Sequence, residues 1–184
     1  MNYIYVAIAI IILVVVIVGV NYNSLVKLRQ RTKNAWSQID VQLQKRYDLI
    51  PNLVQTVKAY AAHESVVFEN VAKLRTRWVN AQSIDEKNNA DNQMSSALKT
   101  VMAVAENYPE LKANENFIQL QTKLSDIETQ VAFSRQFYND TVTKYNTKIE
   151  QFPSNIFAKI FGFKEATLYQ VEAAEAKTVV NVEL

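Results

Sequence analysis

The chain has 184 residues, of which 49% are hydrophobic, and its formal net charge at pH 7 is +2. The absence of cysteine excludes disulfides, thiolate zinc sites and cysteine nucleophiles, and so small a charge does not indicate nucleic acid as a partner. With only two glycines and three prolines, the sequence lacks the signals of strands joined by tight turns, so it predicts an all-α protein.

The first predicted element is a membrane span. Residues 3–20 carry no charge and consist almost entirely of Ile, Val, Ala, Leu and Tyr. At about 1.5 Å per residue this run measures about 27 Å, close to the thickness of a bilayer's hydrocarbon core. Nothing basic precedes the run, and residues 19–22 are a poor cleavage site, which favours an uncleaved anchor over a signal peptide.

Four basic residues follow the apolar run within seven positions, after 26 residues without a charged side chain: Lys27, Arg29, Arg31 and Lys33. By the positive-inside rule, they place the rest of the chain in the cytoplasm and a short N-terminus outside. The same side chains can reach anionic headgroups, but a topology signal is the simpler interpretation.

The apolar stripe continues beyond the span. Apolar residues recur at spacings of three and four as far as Ile50, which predicts one helix that leaves the membrane and becomes the first helix of a bundle. Because proline disfavours the α conformation of the preceding residue, Pro51 predicts a turn or a kink there. A second helix is predicted from about residue 51 to residue 81, with an irregular step around His63.

Two further long helices are predicted. The polar stretch before the third helix offers Ser83 or Asp91 as N-caps, and the fourth helix begins at Asn114 or Asn116 and continues to Pro153. About 36 residues in this last helix would reach about 54 Å. The expected architecture is an elongated antiparallel bundle of three to four long helices with coiled-coil packing.

A short amphipathic helix and an extended tail are predicted to complete the chain. Ser154 or Asn155 can cap a helix that stops at Gly162, and residues 178–184 alternate like a strand. In an up-and-down bundle the fourth helix returns to the membrane end, which would place the short helix beside the headgroups. The residues predicted to touch the bilayer or a neighbouring copy are Ile156, Phe157, Ile160, Phe161, Phe163, Val180, Val182 and Leu184. The alternative is a plug that closes the bundle's own end.

Three regions follow from this pattern. Residues 1–22 are the transmembrane anchor, residues 23–152 the cytoplasmic helical bundle, and residues 153–184 the short helix with the extended tail.

The motifs of known catalytic and metal sites are missing. His63 is the only histidine, and H-E-x-x-H, Glu-x-x-His and Gly-rich phosphate-loop patterns do not occur. Carboxylates are spread along the helices, as is usual for the solvated faces of amphipathic helices, and do not by themselves indicate acid–base catalysis. The sequence therefore predicts neither an enzyme nor a cofactor or metal site.

Two long stretches carry a family resemblance: YNSLVKLRQRTKNAWSQIDVQLQKRYDLIPNLVQTVKAYAAHE (22–64) and FYNDTVTKYNTKIEQFPSNIFAKIFGF (137–163). With the leading span and the ending at Val182-Glu183-Leu184, the chain resembles the LemA family of bacterial membrane proteins over essentially its whole length. The resemblance implies a single-pass anchor, a short outside N-terminus, an all-α cytoplasmic bundle and no established enzymatic activity. Family relatives associated with magnetosome membranes suggest a membrane-organising role by analogy.

Several functional hypotheses remain. The first is a non-enzymatic scaffold of the bacterial cytoplasmic membrane that self-associates, with the lipid bilayer and its own copies as partners. The second is an adaptor that binds a cytoplasmic or membrane protein, such as a protease or an envelope machine, and the third is a structural subunit of a catalytic partner. Apolar surface left at the membrane end and tail would favour self-assembly, and apolar surface on a lateral helix face would favour a protein partner.

Overall fold

The computed structural model describes the backbone of residues 2–170 and the side chains of residues 3–170. All regular structure in this part is helical, in the order α1 (Asn2–Lys58), α2 (Ser65–Asn80), α3 (Ile84–Glu106), α4 (Pro109–Lys112), α5 (Glu115–Glu150) and α6 (Ser154–Ile160). The predicted all-α fold, with a long apolar helix leading into a helical bundle, is confirmed. The strand-like tail with Val180, Val182 and Leu184 lies outside the described residues.

The N-terminal helix α1 is the candidate membrane anchor. Within the described residues it is the one helix that is long and apolar enough to cross a bilayer, and none of its apolar 18-residue window is buried. Exposed apolar side chains over this length are expected of a segment whose solvent is lipid.

The predicted boundary near Ile50 was wrong, because α1 continues through Pro51 to Lys58. Proline inside a helix costs about 3 kcal/mol, since its nitrogen donates no hydrogen bond and its ring crowds the preceding turn. Pro51 is exposed, whereas Ile50, Leu53 and Val57 are buried on the other side of the helix. Burial of an aliphatic side chain stabilises by about 1.5–3 kcal/mol, so the continued apolar stripe offsets the proline.

The break between the first two helices falls later than predicted, at residues 59–64. The irregular step around His63 was the correct signal, and the second helix begins at Ser65 instead of Pro51. His63 itself is exposed in this connection. The short helix α4 is a single turn between two boundaries and has no periodic pattern that sequence reasoning could detect.

Side-chain caps fix the starts of the next two long helices. The Ser83 hydroxyl accepts a hydrogen bond from the Glu86 main-chain N–H (3.1 Å), and the Glu86 carboxylate accepts one from the Ser83 N–H (3.3 Å), which together form a capping box at α3. At α5, the side-chain oxygen of Asn114 accepts a hydrogen bond from the Phe117 N–H (3.1 Å). Of the alternatives from the sequence, Ser83 and Asn114 are therefore the caps.

The prediction that Ser154 or Asn155 caps α6 was wrong, because no side chain caps its start and the Ser154 hydroxyl donates to Asn21 instead. The helix ends at Ile160, and Gly162 provides the predicted stop. The Phe163 N–H donates to the Ala158 carbonyl (2.9 Å) and the Gly162 N–H donates to the Lys159 carbonyl (3.3 Å), the two bonds of a Schellman motif. Gly162 has a φ of 68°, in the left-handed region that glycine enters without the Cβ penalty.

The described chain forms two compact units. The first contains residues 2–41 and 131–168, and the second contains residues 42–130 with 169 and 170. In the first, the ring of Trp36 on α1 meets Tyr138 on α5 edge to face, with centroids 5.6 Å apart. In the second, α2 packs against α3 and Tyr47 stacks on Trp78 with centroids 4.2 Å apart.

Candidate functional site at the membrane-proximal end of the first unit

Helix α6 lies beside the point where the apolar run of α1 ends. The Ser154 hydroxyl donates to the side-chain oxygen of Asn21 (3.0 Å), and Ser154 is fully buried. The Tyr22 ring contacts Phe161 and Phe163 edge to face, at centroid distances of 4.9 and 5.9 Å. Asn21 and Tyr22 directly follow the apolar run, so α6 is held at the level where α1 would leave the hydrocarbon.

The inner side of this region is a small apolar core. Leu25 of α1, Tyr145 of α5, Ala158 of α6 and Phe163 are buried together, and Phe157 packs half-buried against them. The structure thus places two of the predicted contact residues, Phe163 and to a lesser degree Phe157, against the protein's own interior. This packing holds α6 on α1 and α5.

The outer side carries an apolar collar, defined here as Phe152, Ile156, Ile160 and Phe161. Their side chains are 80%, 48%, 69% and 46% exposed. Three of the four were predicted contact residues, whereas Phe152 fell within the fourth helix, which was predicted to continue to Pro153. Because α5 ends at Glu150, Phe152 lies in the turn before α6, and Pro153 was the sequence signal that the stripe stops before it.

Six exposed cations belong to the same unit, and we call them the cationic girdle: Lys27, Arg29, Arg31, Lys33, Lys159 and Lys164. The Arg29 guanidinium carbon lies 4.9 Å from the centroid of the Phe163 ring, a cation–π contact. Within the part of the chain that the structure describes, none of the six forms an ion pair with a carboxylate.

The segment after α6 is held by side chains of α5. Asn146 both donates to the Ala166 carbonyl and accepts from the Ala166 N–H, each at 2.9 Å. The hydroxyls of Tyr145 and Tyr138 donate to the carbonyls of Lys164 (3.0 Å) and Thr167 (2.8 Å). Burial raises the pKa of Tyr145, and the positive charge of Arg29 opposes this shift. Sequence reasoning missed these contacts, since no local pattern pairs a helix with an extended segment.

The second unit contains a buried charged network. Arg46 is 1% exposed and donates to Asp91 (2.7 Å) and to the Ser95 hydroxyl (3.0 Å), and its Nε lies 2.8 Å from Glu128. The Tyr169 hydroxyl donates to the other oxygen of Asp91, which has no exposed surface. The alternative that Asp91 caps the third helix was wrong, because Asp91 lies within α3 and faces the core. Its helical spacing with Met94 and Leu98 was the signal of that burial.

The grooves described in the second unit are open to solvent, and their linings mix polar and apolar side chains. Three of about 300–330 Å³ are lined mainly by amide, hydroxyl and aliphatic side chains. Among the described residues, no group of three or more His, Cys, Asp and Glu side chains is placed to hold a metal ion.

The described architecture is that of a helical-bundle protein with an N-terminal candidate membrane helix. The LemA family profile matches residues 35–184, and the chain belongs to the LemA family. It is similar to "Magnetosome protein MamQ 2" of Paramagnetospirillum magneticum, with 27% identity over 189 residues that cover 89% of this chain and 70% of the relative. "Magnetosome protein MamQ" of Magnetospirillum gryphiswaldense is 24% identical with the same coverage. "Protein LemA" of Metamycoplasma hominis is 23% identical over 166 residues, or 88% of this chain and 74% of the relative.

Proposed function

We propose that this protein is a non-enzymatic membrane scaffold that is anchored by α1 and self-associates at its membrane-proximal end. The observation that carries the proposal is the apolar collar beside the end of the apolar run. Each fully buried aliphatic or aromatic side chain contributes about 1.5–3 kcal/mol, so four exposed apolar residues in and beside one short helix favour burial against a neighbour. The relatives named as magnetosome proteins favour a role in a cellular structure.

The location is part of the proposal. The protein is a single-pass protein of the bacterial cytoplasmic membrane, with its N-terminus outside and the bundle in the cytoplasm. Support comes from the four cations that follow the apolar run and are all exposed.

A second candidate function is an adaptor for another protein. Phe133 and Phe137 lie one turn apart on α5 and are 63% and 53% exposed. This lateral aromatic pair is the surface on which a protein partner would dock.

The mass of the full-length protein in a mild detergent, measured by light scattering, tests the scaffold. We expect an assembly of several copies, which the double variant Ile160→Ser/Phe161→Ser converts into smaller species. The matched control is Phe133→Ser/Phe137→Ser, which removes two exposed apolar residues from the lateral face and is expected to leave the mass unchanged.

A monomeric wild-type protein would overturn the scaffold proposal. Loss of the assembly in the lateral variant, with the collar variant still assembled, would also overturn it, because it would move the contact between copies to α5. If the wild type is monomeric and the lateral pair crosslinks to one reproducible protein, the adaptor becomes the leading function.

A further inference from the structure

Positive charge is concentrated at the membrane-proximal end of the first unit. Residues 21–39 contain four basic and no acidic side chains, and residues 148–168 contain three basic and two acidic ones. The net charge of the whole chain is only +2, so acidic residues are in excess elsewhere. This asymmetry places a positive field beside the end of the apolar run.

The cations of the girdle are available to an external anion. All six are exposed, and within residues 3–170 no carboxylate neutralises any of them. Four of them fall within seven consecutive residues of α1, and like charges so near in sequence repel one another unless anions are nearby. An external anion can therefore supply a countercharge to these side chains.

The distance of these cations from the apolar run indicates which anion they meet. At about 1.5 Å per residue, Lys27 lies about 10 Å beyond Val20 and Arg29 about 13 Å. The headgroup layer is about 5–8 Å thick on each side of the hydrocarbon, and long basic side chains bend back towards it. Lys159 belongs to α6, which is tied to Asn21 and Tyr22 at the start of this interval.

Arg29 is pre-organised for a phosphate. Its guanidinium lies over the Phe163 ring, and Phe163 is only 8% exposed, so the ring is a fixed support. This contact supports the guanidinium on one side, and no hydrogen bond among the described residues uses its N–H groups, so they can donate to phosphate oxygens. Lys27 on α1 and Lys164 after Phe163 supply further positive charge in the same unit.

We propose that the cationic girdle binds the phosphate groups of anionic phospholipids, so that the membrane-proximal end selects its surrounding lipid. The inference rests on the proposed function only in needing α1 to be embedded in the bilayer, and it holds whether or not copies associate. At the membrane-proximal end, the apolar collar would face a neighbouring copy and the girdle would face the lipid headgroups.

The test measures which lipids stay bound to the full-length protein. The protein is reconstituted with about equal amounts of phosphatidylglycerol and phosphatidylcholine and extracted in mild detergent, and the retained lipids are quantified by mass spectrometry. One variant, Lys27→Gln/Lys159→Gln/Lys164→Gln, removes three girdle charges and keeps Arg29, Arg31 and Lys33.

The matched control is Lys45→Gln/Lys73→Gln/Lys123→Gln, which removes three exposed lysines of the second unit and changes the net charge equally. Each basic residue near an anionic surface strengthens binding about fivefold. The wild type and the control should therefore retain phosphatidylglycerol preferentially. In the girdle variant, the ratio of retained phosphatidylglycerol to phosphatidylcholine should fall at least about tenfold.

Equal retention of both lipids by the wild type would overturn the inference, as would equal losses in the girdle and control variants. Light scattering on the same samples reports the mass independently. If the protein is a monomer that retains anionic lipid, the scaffold proposal is wrong and the lipid site is supported. If it is an assembly without lipid preference, the lipid site is wrong and the scaffold is supported. Should the triple variant not fold by circular dichroism, Lys27→Gln and Lys159→Gln alone give the same comparison.

Discussion

At the scale of single residues, the buried network around Arg46 and Asp91 depends on being complete. Removing two charges from water costs several kcal/mol per ion, and the ion pair recovers this only if its remaining polar atoms also find partners. Here Ser95 and Tyr169 supply hydrogen bonds, and Glu128 supplies an ionic contact to the Arg46 Nε, which has no hydrogen bond. A network of this kind is sensitive to the loss of one member, because the rest remain buried without compensation.

We expect Asp91→Ala to lower the free energy of unfolding by about 3 kcal/mol, the lower end of the range for breaking a buried pair. Glu128 stays 2.8 Å from Arg46 and is partly exposed, so some compensation remains. Thermal unfolding of the full-length protein in detergent, followed by circular dichroism, should show a fall in Tm of roughly 6–12 °C.

Tyr169→Phe is the control for this network, since it removes one hydrogen bond and no charge. It should cost only about 1–2 kcal/mol. Equal losses in the two variants would contradict the claim that the uncompensated charge of Arg46 dominates.

Gly162 is the second position where a single residue decides local structure. Its φ of 68° lies in the left-handed region, and an added Cβ would meet nothing within 4 Å. Gly162→Ala should therefore lower the free energy of unfolding by about 1–2 kcal/mol, the cost of holding a residue with a Cβ in the left-handed region. The loss should appear as a lower Tm in thermal unfolding. Gly19→Ala is the matched control, because Gly19 is helical and its Cβ would also meet open space. A loss of stability in Gly19→Ala as large as that in Gly162→Ala would contradict this reasoning.

At the scale of elements, the capping box of α3 makes that helix sensitive to acid. The main-chain N–H groups of Gln82 and Ser83 hold the pKa of the Glu86 carboxyl below its ordinary value of 4.5. Because the folded pKa is the lower one, the stabilisation is present above the ordinary pKa and is lost as the pH falls through the folded pKa.

Two variants test this helix start. Ser83→Ala should lower stability by about 1 kcal/mol, the usual cost of losing an N-cap. Glu86→Ala should have a lower Tm than the wild type near neutral pH, and the difference should shrink as the pH falls through the lowered pKa of Glu86 and the wild-type carboxylate is protonated. A Tm difference that stays constant across this range would show that the Glu86 charge does not stabilise α3.

The sequence predicted elements that local chemistry determines and missed those that distant contacts determine. Ser83, Asn114 and Gly162 act within one turn of their own position. The sequence predicted Gly162 outright, and Ser83 and Asn114 each as one of two alternatives. The effect of Pro51 was misjudged, because its local cost is outweighed by burial of Leu53 and Val57 against residues distant in sequence. The same limit applies to the site: the apolar pattern of α6 revealed most of the collar, but the hydrogen bonds from α5 to the segment after α6 have no local signal.

At the scale of the whole molecule, the orientation of α1 decides which compartment the bundle meets. Four cations follow the apolar run, so we expect the bundle in the cytoplasm and the N-terminus outside. The chain has no native cysteine, which allows single reporter cysteines to be read without background.

Ser37→Cys places one reporter on an exposed face of α1 beyond the cations, and Asn2→Cys places another before the apolar run. A membrane-impermeant maleimide applied to intact cells should label the cysteine at position 2 and leave the one at position 37 unlabelled until the cells are permeabilised. We expect this result because basic residues close to a membrane span are retained on the cytoplasmic side. Four of them follow the span here: Lys27, Arg29, Arg31 and Lys33. Labelling at position 37 from outside would show that the topology is the reverse of the one proposed. The girdle would then face the headgroups of the opposite leaflet.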